Sequence, residues 1–188
     1  MISEKRYMYY AGRFYRHRVE SVFLVIDSLK FSNYILIIRS LGPKEIEKEI
    51  IEFAKDRGVY NQVKILPATT AHIVAYESSK ASINLVFESL NKENELMKGV
   101  ITGKLLQLLV INAPILAVAR SDSEIGNILR KTNKGDLVSN EDEIIDFFKK
   151  LSFSSKAYKG NSEIYLFSKE KQAYNLCKIL DDVIDKRD

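Results

Sequence analysis

Pro114-Ile115-Leu116-Ala117-Val118-Ala119 is followed at once by Arg120-Ser121-Asp122-Ser123-Glu124-Ile125. The first segment is a short unbroken apolar run, as a buried strand is, and it is the most apolar of its kind in the chain. In the second, Ser121 and Glu124 stand at the spacing of a capping box, which marks the start of a helix. A buried strand that passes directly into a helix is the unit from which helix-covered parallel sheets are built.

The same unit recurs along most of the chain. Strands are expected at Tyr7–Ala11, Tyr34–Arg39, Gln62–Leu66, Ala81–Phe87, Pro114–Ala119 and Asp136–Ser139, where β-branched and aromatic residues lie between turn-forming or polar ones. Between them, Val19–Leu29, Lys44–Arg57, Ala71–Ser79, Thr102–Ile111, Ser123–Lys131 and Glu141–Leu151 place apolar residues three and four apart, the spacing of one helix face. Pro43 suits the first turn of the second of these helices and Gly58 its C-terminal cap. The polar segment Asn91–Lys98 follows a strand and is expected as a loop at the carboxyl edge, where ligands of open α/β sheets bind. After the irregular stretch Ser152–Asn161, residues Ala173, Leu176, Cys177, Leu180, Val183 and Ile184 form the stripe of a last helix. The expectation is an α/β, three-layer, Rossmann-like domain: a mostly parallel sheet of about six strands with helices on both faces. Its core is 7–151, and 152–188 is a C-terminal extension, the whole of 1–188 being one domain of ordinary size.

Composition narrows the function. A formal charge of +4, from 29 basic and 25 acidic residues mixed along the chain, gives no polybasic tract for nucleic acid but leaves small anionic ligands open. The lone Cys177 forms no internal disulfide and is expected as a small buried hydrophobe of the last helix. No Cys/His cluster has metal-ligand spacing, so no metal is expected. The segment Met1–Arg6 lacks the apolar core of a signal peptide and no run is long enough to span a membrane, which leads to the expectation of a cytoplasmic protein without a transmembrane segment. His17 lies among arginines, which disfavour its protonated form, and His72 falls in the first turn of a helix; neither has a partner for acid–base work, and no hydrolytic triad assembles.

Two glycine-bearing turns remain as candidate sites. Gly12-Arg13-Phe14-Tyr15-Arg16-His17-Arg18 lies where the first strand gives way to the first helix. Gly12 allows the backbone to approach a ligand, and arginines supply charge-assisted hydrogen bonds to phosphate. The same residues also suit a solvated turn whose arginines lie along the surface. Gly99-Val100-Ile101-Thr102-Gly103-Lys104-Leu105 resembles a nucleotide-binding P-loop only superficially. Its glycines are one residue too close, and Leu105 stands where a metal-binding Ser or Thr is required. What is left is a loop-to-helix turn at Gly103 and Lys104, open to an anion or serving simply as a helix start.

Taken in order, these pieces resemble the C-terminal domain of the group 1 family of GT-B-fold glycosyltransferases, over roughly residues 7–150. Gly12, Arg13 and Arg18 match that family's Gly-Arg element and following basic residue, and Ile101-Thr102-Gly103-Lys104-Leu105 through Pro114-Ile115-Leu116-Ala117 resembles its Lys-Leu, helix and Pro-Ile-Leu-Ala passage. The resemblance implies a nucleotide sugar, such as a UDP- or GDP-sugar, as substrate and no further cofactor. It places the donor diphosphate on Gly12, Arg13, Arg18, Gly103 and Lys104 and the ribose on Gln107. It also implies hexosyl transfer to a cell-surface glycan, with an acceptor-binding N-terminal domain supplied in cis or in trans and peripheral membrane association open to the full enzyme. The sequence departs from the family where its two glutamates are replaced by Gly99 and Gln107, and Gln keeps an acceptor but not the charge. Such losses are also compatible with a regulatory or protein-interaction module that kept the fold, or with half of a sugar-nucleotide epimerase.

Overall fold

The computed structural model describes residues 6–93, 95–154 and 157–185. Residues 1–5, which make up most of the N-terminal segment read above, lie outside the described residues, as do Asn94 of the polar loop, residues 155–156 and residues 186–188.

The chain alternates strand and helix as its hydrophobic pattern requires: β1 (Tyr7–Gly12), α1 (Val19–Ser28), β2 (Ile35–Ser40), α2 (Lys44–Asp56), β3 (Val63–Pro67), α3 (Ala71–Lys80), β4 (Ile83–Phe87), α4 (Gly103–Leu108), β5 (Ile115–Val118), α5 (Glu124–Thr132), β6 (Gly135–Val138), α6 (Glu141–Phe153) and α7 (Lys169–Asp185). The six strands form one sheet in the order β3-β2-β1-β4-β5-β6, with each neighbouring pair parallel. The chain therefore winds outward from β1 to β3, returns to set β4 beside β1, and winds outward again to β6. Between β1 and β4 the winding direction reverses, and the carboxyl ends of those two strands flank the crevice where such sheets receive ligands.

Period-two alternation sorts the side chains into two cores. Met8 and Tyr10 of β1 and Leu85 and Phe87 of β4 pack with Val22 of α1, Ile50 of α2 and Phe147 of α6 on one face. Val86 of β4 and Ala117 of β5 pack with Leu105 of α4 and Leu129 of α5 on the other, and Tyr9 and Ile37 meet Val74 of α3 there. Every residue of β4 and β5 is buried, whereas β3, at the edge, buries only Val63. Among the described residues no helix is long and apolar enough to cross a membrane.

Helix ends show where local signals were right and where they slipped. Gly58 adopts φ +71°, and the amides of Gly58 and Val59 donate to the carbonyls of Lys55 (2.9 Å) and Ala54 (3.0 Å), closing α2. Pro43 stands one residue before that helix, as its N-cap. The cap of α5 is Ser123 and not Ser121: Ser123 Oγ accepts from the Ile125 amide at 3.4 Å. Ser121 and Asp122 are used in the turn that Arg120 grips through the Asp122 carboxylate, so the helix begins two residues later than the capping-box spacing suggests. Helix α4 ends at Leu108, short of Ile111, because the chain must turn through Asn112 and Ala113 into an extended approach to Pro114.

The C-terminal segment is also corrected. A 3-10 turn at Ser162–Phe167 precedes α7, which packs mainly against that turn. Leu176, Leu180 and Val183 of its apolar stripe are about half exposed, and Cys177 is exposed rather than buried, because α7 lies off the layers that cover the sheet.

Candidate functional site

The carboxyl ends of β1 and β4 and the start of α4 enclose a cleft of about 220 Å3. Gly12 ends β1, and a Cβ there would stand 2.1 Å from Lys104 Nζ and 3.2 Å from the Tyr10 hydroxyl, so only glycine admits the lysine to this position. After Gly12 the chain leaves the sheet. Phe14 turns inward to stack on Tyr10, with ring centroids 5.0 Å apart, and this anchors the turn that carries the arginines. A 3-10 turn at Arg16–Arg18 then leads into α1.

Arg13 and Arg18 flank the Tyr15 ring, their guanidinium carbons 5.7 and 4.9 Å from its centroid. They are differently employed. Arg13 is exposed and forms no ion pair among the described residues. Arg18 is held by Glu88, the residue that follows β4: its Nε donates to Oε2 at 3.0 Å and its Nη2 lies 3.0 Å from Oε1. Glu88 is only 3% exposed, and burial raises its carboxyl above the usual range, opposed by Arg18 and Lys104. Lys104, in the first turn of α4, lies over the Tyr10 ring with Nζ 3.6 Å from the centroid. Burial, reinforced by Arg18, brings its ammonium down to about 7, with Glu88 acting the other way. Burial pushes the Tyr10 hydroxyl up to about 12, and this group donates to the Arg13 carbonyl at 3.1 Å.

Three basic side chains thus face one carboxylate in this cleft, and the surplus of positive charge is suited to a phosphate. The charge comes from side chains. Helix α4 has fewer than two turns, and Thr102 Oγ1 already accepts from its Leu105 amide at 3.4 Å, so the helix start at Gly103 contributes little beyond open space.

Lys104 also borders a second, larger cavity of about 490 Å3 between α3 and α4, whose walls include Tyr9, Ala11, Val74 and Leu108. Gln107, one turn beyond Lys104, lines it as well. The structure therefore brings Gly12, Arg13, Arg18 and Lys104 to one cleft and Gln107 to its neighbour, with Lys104 common to both. Gly99 lies in the open loop before α4. His17 stacks on the outer side of Tyr15 at 5.7 Å, its protonated form disfavoured by burial and by Arg18. His72 is exposed beside Thr70. Among the described residues no group of acidic, His and Cys side chains could hold a metal ion. Sequence reasoning missed Glu88 and Tyr10. A carboxylate directly after the apolar run Leu85-Val86-Phe87 is the signal that would have drawn attention to Glu88.

No family model matches the sequence, and no curated protein matches it. Solved structures do. The C-terminal domain of a glycosyl transferase group 1 family protein, LpcC from Francisella tularensis, matches with a TM-score of 0.61 at 16% identity, over 90% of this chain and 86% of that one. Sucrose-phosphate synthase from Thermosynechococcus elongatus matches with a TM-score of 0.73 at 12% identity, over 99% of this chain and 47% of the other. HepE from Anabaena, solved in complex with UDP-glucose, matches with a TM-score of 0.69 at 11% identity, over 98% and 50%. The chain spans about half the length of the latter two proteins. At these identities the likeness concerns architecture, and the six-stranded parallel sheet with its helices on both faces is a Rossmann-like fold of the GT-B type.

Proposed function

We propose that this chain is the nucleotide-sugar-binding domain of a glycosyltransferase, the whole of 1–188 acting as one unit. The observation that carries this reading is the convergence of Arg13, Arg18 and Lys104 on the crevice where the sheet reverses its winding, beside a larger and mostly apolar cavity. The diphosphate occupies the small cleft, against Gly12 and the free guanidinium of Arg13, with the Lys104 ammonium between the two cavities. The nucleoside occupies the larger one, where the Gln107 carbonyl accepts from a ribose hydroxyl. When the sugar departs, negative charge grows on the diphosphate, and fixed cations in a site poor in water stabilise that charge more than they stabilise the bound donor. Transfer, of a hexose to a cell-surface glycan, needs an acceptor-binding half supplied in cis or in trans. The complete enzyme works in the cytoplasm or on the inner face of a membrane.

Calorimetric titration with UDP, GDP and their sugars tests the reading. The expected outcome is binding by the wild type, weakened by roughly 100-fold or more in an Arg13→Ala/Lys104→Met variant, since hydrogen bonds to charged groups contribute about 1.5–3 kcal/mol each. Absence of any nucleotide binding, or affinity unchanged by the double substitution, removes the assignment.

A further inference from the structure

The reading above uses Lys104 only as a charge, yet its surroundings are those of a nucleophile. Its Nζ lies 3.6 Å from the centre of the Tyr10 ring and occupies the space that a Cβ at Gly12 would fill. Among the described residues it forms no ion pair. The ring face of Tyr10 attracts a cation but brings no net charge, Glu88 is committed to Arg18, and Arg18 itself repels the ammonium. An amine taken out of water and set beside another cation is the arrangement that frees a lysine lone pair for attack on a carbonyl.

The amine is enclosed without being sealed off. Lys104 is half-buried and belongs to the walls of both the 220 Å3 cleft and the 490 Å3 cavity. Lys134 is the contrast: it is desolvated as well, but at 2% exposure no reagent reaches it. The cleft also selects what arrives, because the exposed Arg13 lines the same walls. A guanidinium beside a nucleophilic amine fits a molecule with a phosphate at one end and a carbonyl carbon at the other. We propose that Lys104 is a covalent site for phosphorylated aldehydes, with Arg13 holding the phosphate and the amine bonding to the carbonyl carbon. The Nζ lone pair forms the C–N bond, both amine hydrogens leave with the carbonyl oxygen as water, and an imine remains. Nothing is oxidised or reduced, and water reverses the step. The adduct fills the cleft proposed for the diphosphate and is a reversible block on it. This site shares with the donor reading only the affinity of the cleft for phosphate and needs no nucleotide.

Pyridoxal 5′-phosphate is the probe. The full chain is incubated with it at neutral pH, the imine is fixed with borohydride, and the labelled peptides are identified by mass spectrometry. Lys104 is expected to be labelled at least about tenfold faster than any other lysine, and pyridoxal, which lacks the phosphate, to label it about tenfold more slowly. Arg13→Ala brings the phosphorylated probe down to the rate of pyridoxal, and Lys104→Arg, which keeps the charge, removes the fast phase of imine absorbance. Label spread evenly over the lysines, no label at Lys104, or equal labelling by the two probes overturns the proposal. Each of these is read on the wild type, so none depends on a variant folding. Nucleotide binding without labelling of Lys104 overturns this site alone, and labelling without nucleotide binding overturns the donor reading alone.

Discussion

Two arginines stand at the carboxyl edge of the sheet, and the protein treats them in opposite ways. Arg120, which follows β5, is 2% exposed and meets two carboxylates, with Nε 2.6 Å from Asp122 Oδ1 and Nη2 2.8 Å from Glu95 Oε1. Its amide donates to the Ser89 carbonyl, so β5, the loop after β4 and the approach to α5 are tied at one point. Lys98 lies 3.9 Å from Asp122 and completes a balanced set of charges. Arg18 meets one carboxylate, in a cleft that also holds Arg13 and Lys104. Arginine at a strand end therefore points to a ligand only where the carboxylates opposite it run out. The Arg120 cluster is a fastening, and the Arg18 cluster is the proposed site.

The sharpest way to break this comparison is to remove each arginine and follow stability. Depth alone suggests that Arg120 matters more, but the partners reverse the order. Glu95 and Asp122 have side chains 73% and 44% exposed and hydrate readily once released, whereas the Glu88 side chain is 4% exposed and loses its paired guanidinium, with Lys104 offsetting only part of the buried charge. Arg18→Ala is expected to cost about 3 kcal/mol in urea unfolding, and an Arg18→Met/Glu88→Leu pair to recover most of it. Arg120→Ala is expected to lower the thermal midpoint by only roughly 5 °C, through lost packing and the lost tether, without altering nucleotide affinity. Equal losses in the two single variants, or no recovery in the pair, would show that partner burial is not what separates the clusters.

The layers of the fold were legible in the sequence because each strand is a short apolar run and each helix an apolar stripe, patterns set by burial itself. Gly12, Arg13 and Arg18 were legible for the same reason, since they follow the first such run. Glu88 was not, because its meaning depends on Arg18, seventy residues away in sequence, and only the pairing of β1 with β4 brings the two together. Lys104 could be named from its turn, but not its enclosure by Tyr10 and Gly12, which is a tertiary fact. Cys177 was misread because an apolar stripe states that a helix has a face to cover and does not state what covers it. Ser121 was misread because a local cap signal competes with the Arg120 grip on the same turn.

The smallest expected effect concerns proton linkage at Lys104, and it separates the site from the fastening by the sign of two pH dependences. The ammonium falls from its ordinary 10.5 to about 7 in the folded chain. Between those values the unfolded chain carries a proton that the folded chain has released, so the contribution of Lys104 to stability rises with pH through that window and is least favourable below it. Anion binding has the opposite sign. A diphosphate ester stays fully ionised in this range and favours the ammonium, so binding takes up a proton and affinity falls as pH rises through about 7. With a bound-state value about one unit higher, the loss for a nucleotide sugar between pH 6 and 8 is about fivefold. Lys104→Met abolishes both dependences, whereas Arg120→Ala leaves both intact, because no phosphate reaches that cluster. Calorimetry in buffers of different ionisation enthalpy reads the proton uptake directly. Uptake that survives in Lys104→Met would move the titrating group to Glu88, the other cleft residue that burial shifts toward neutrality.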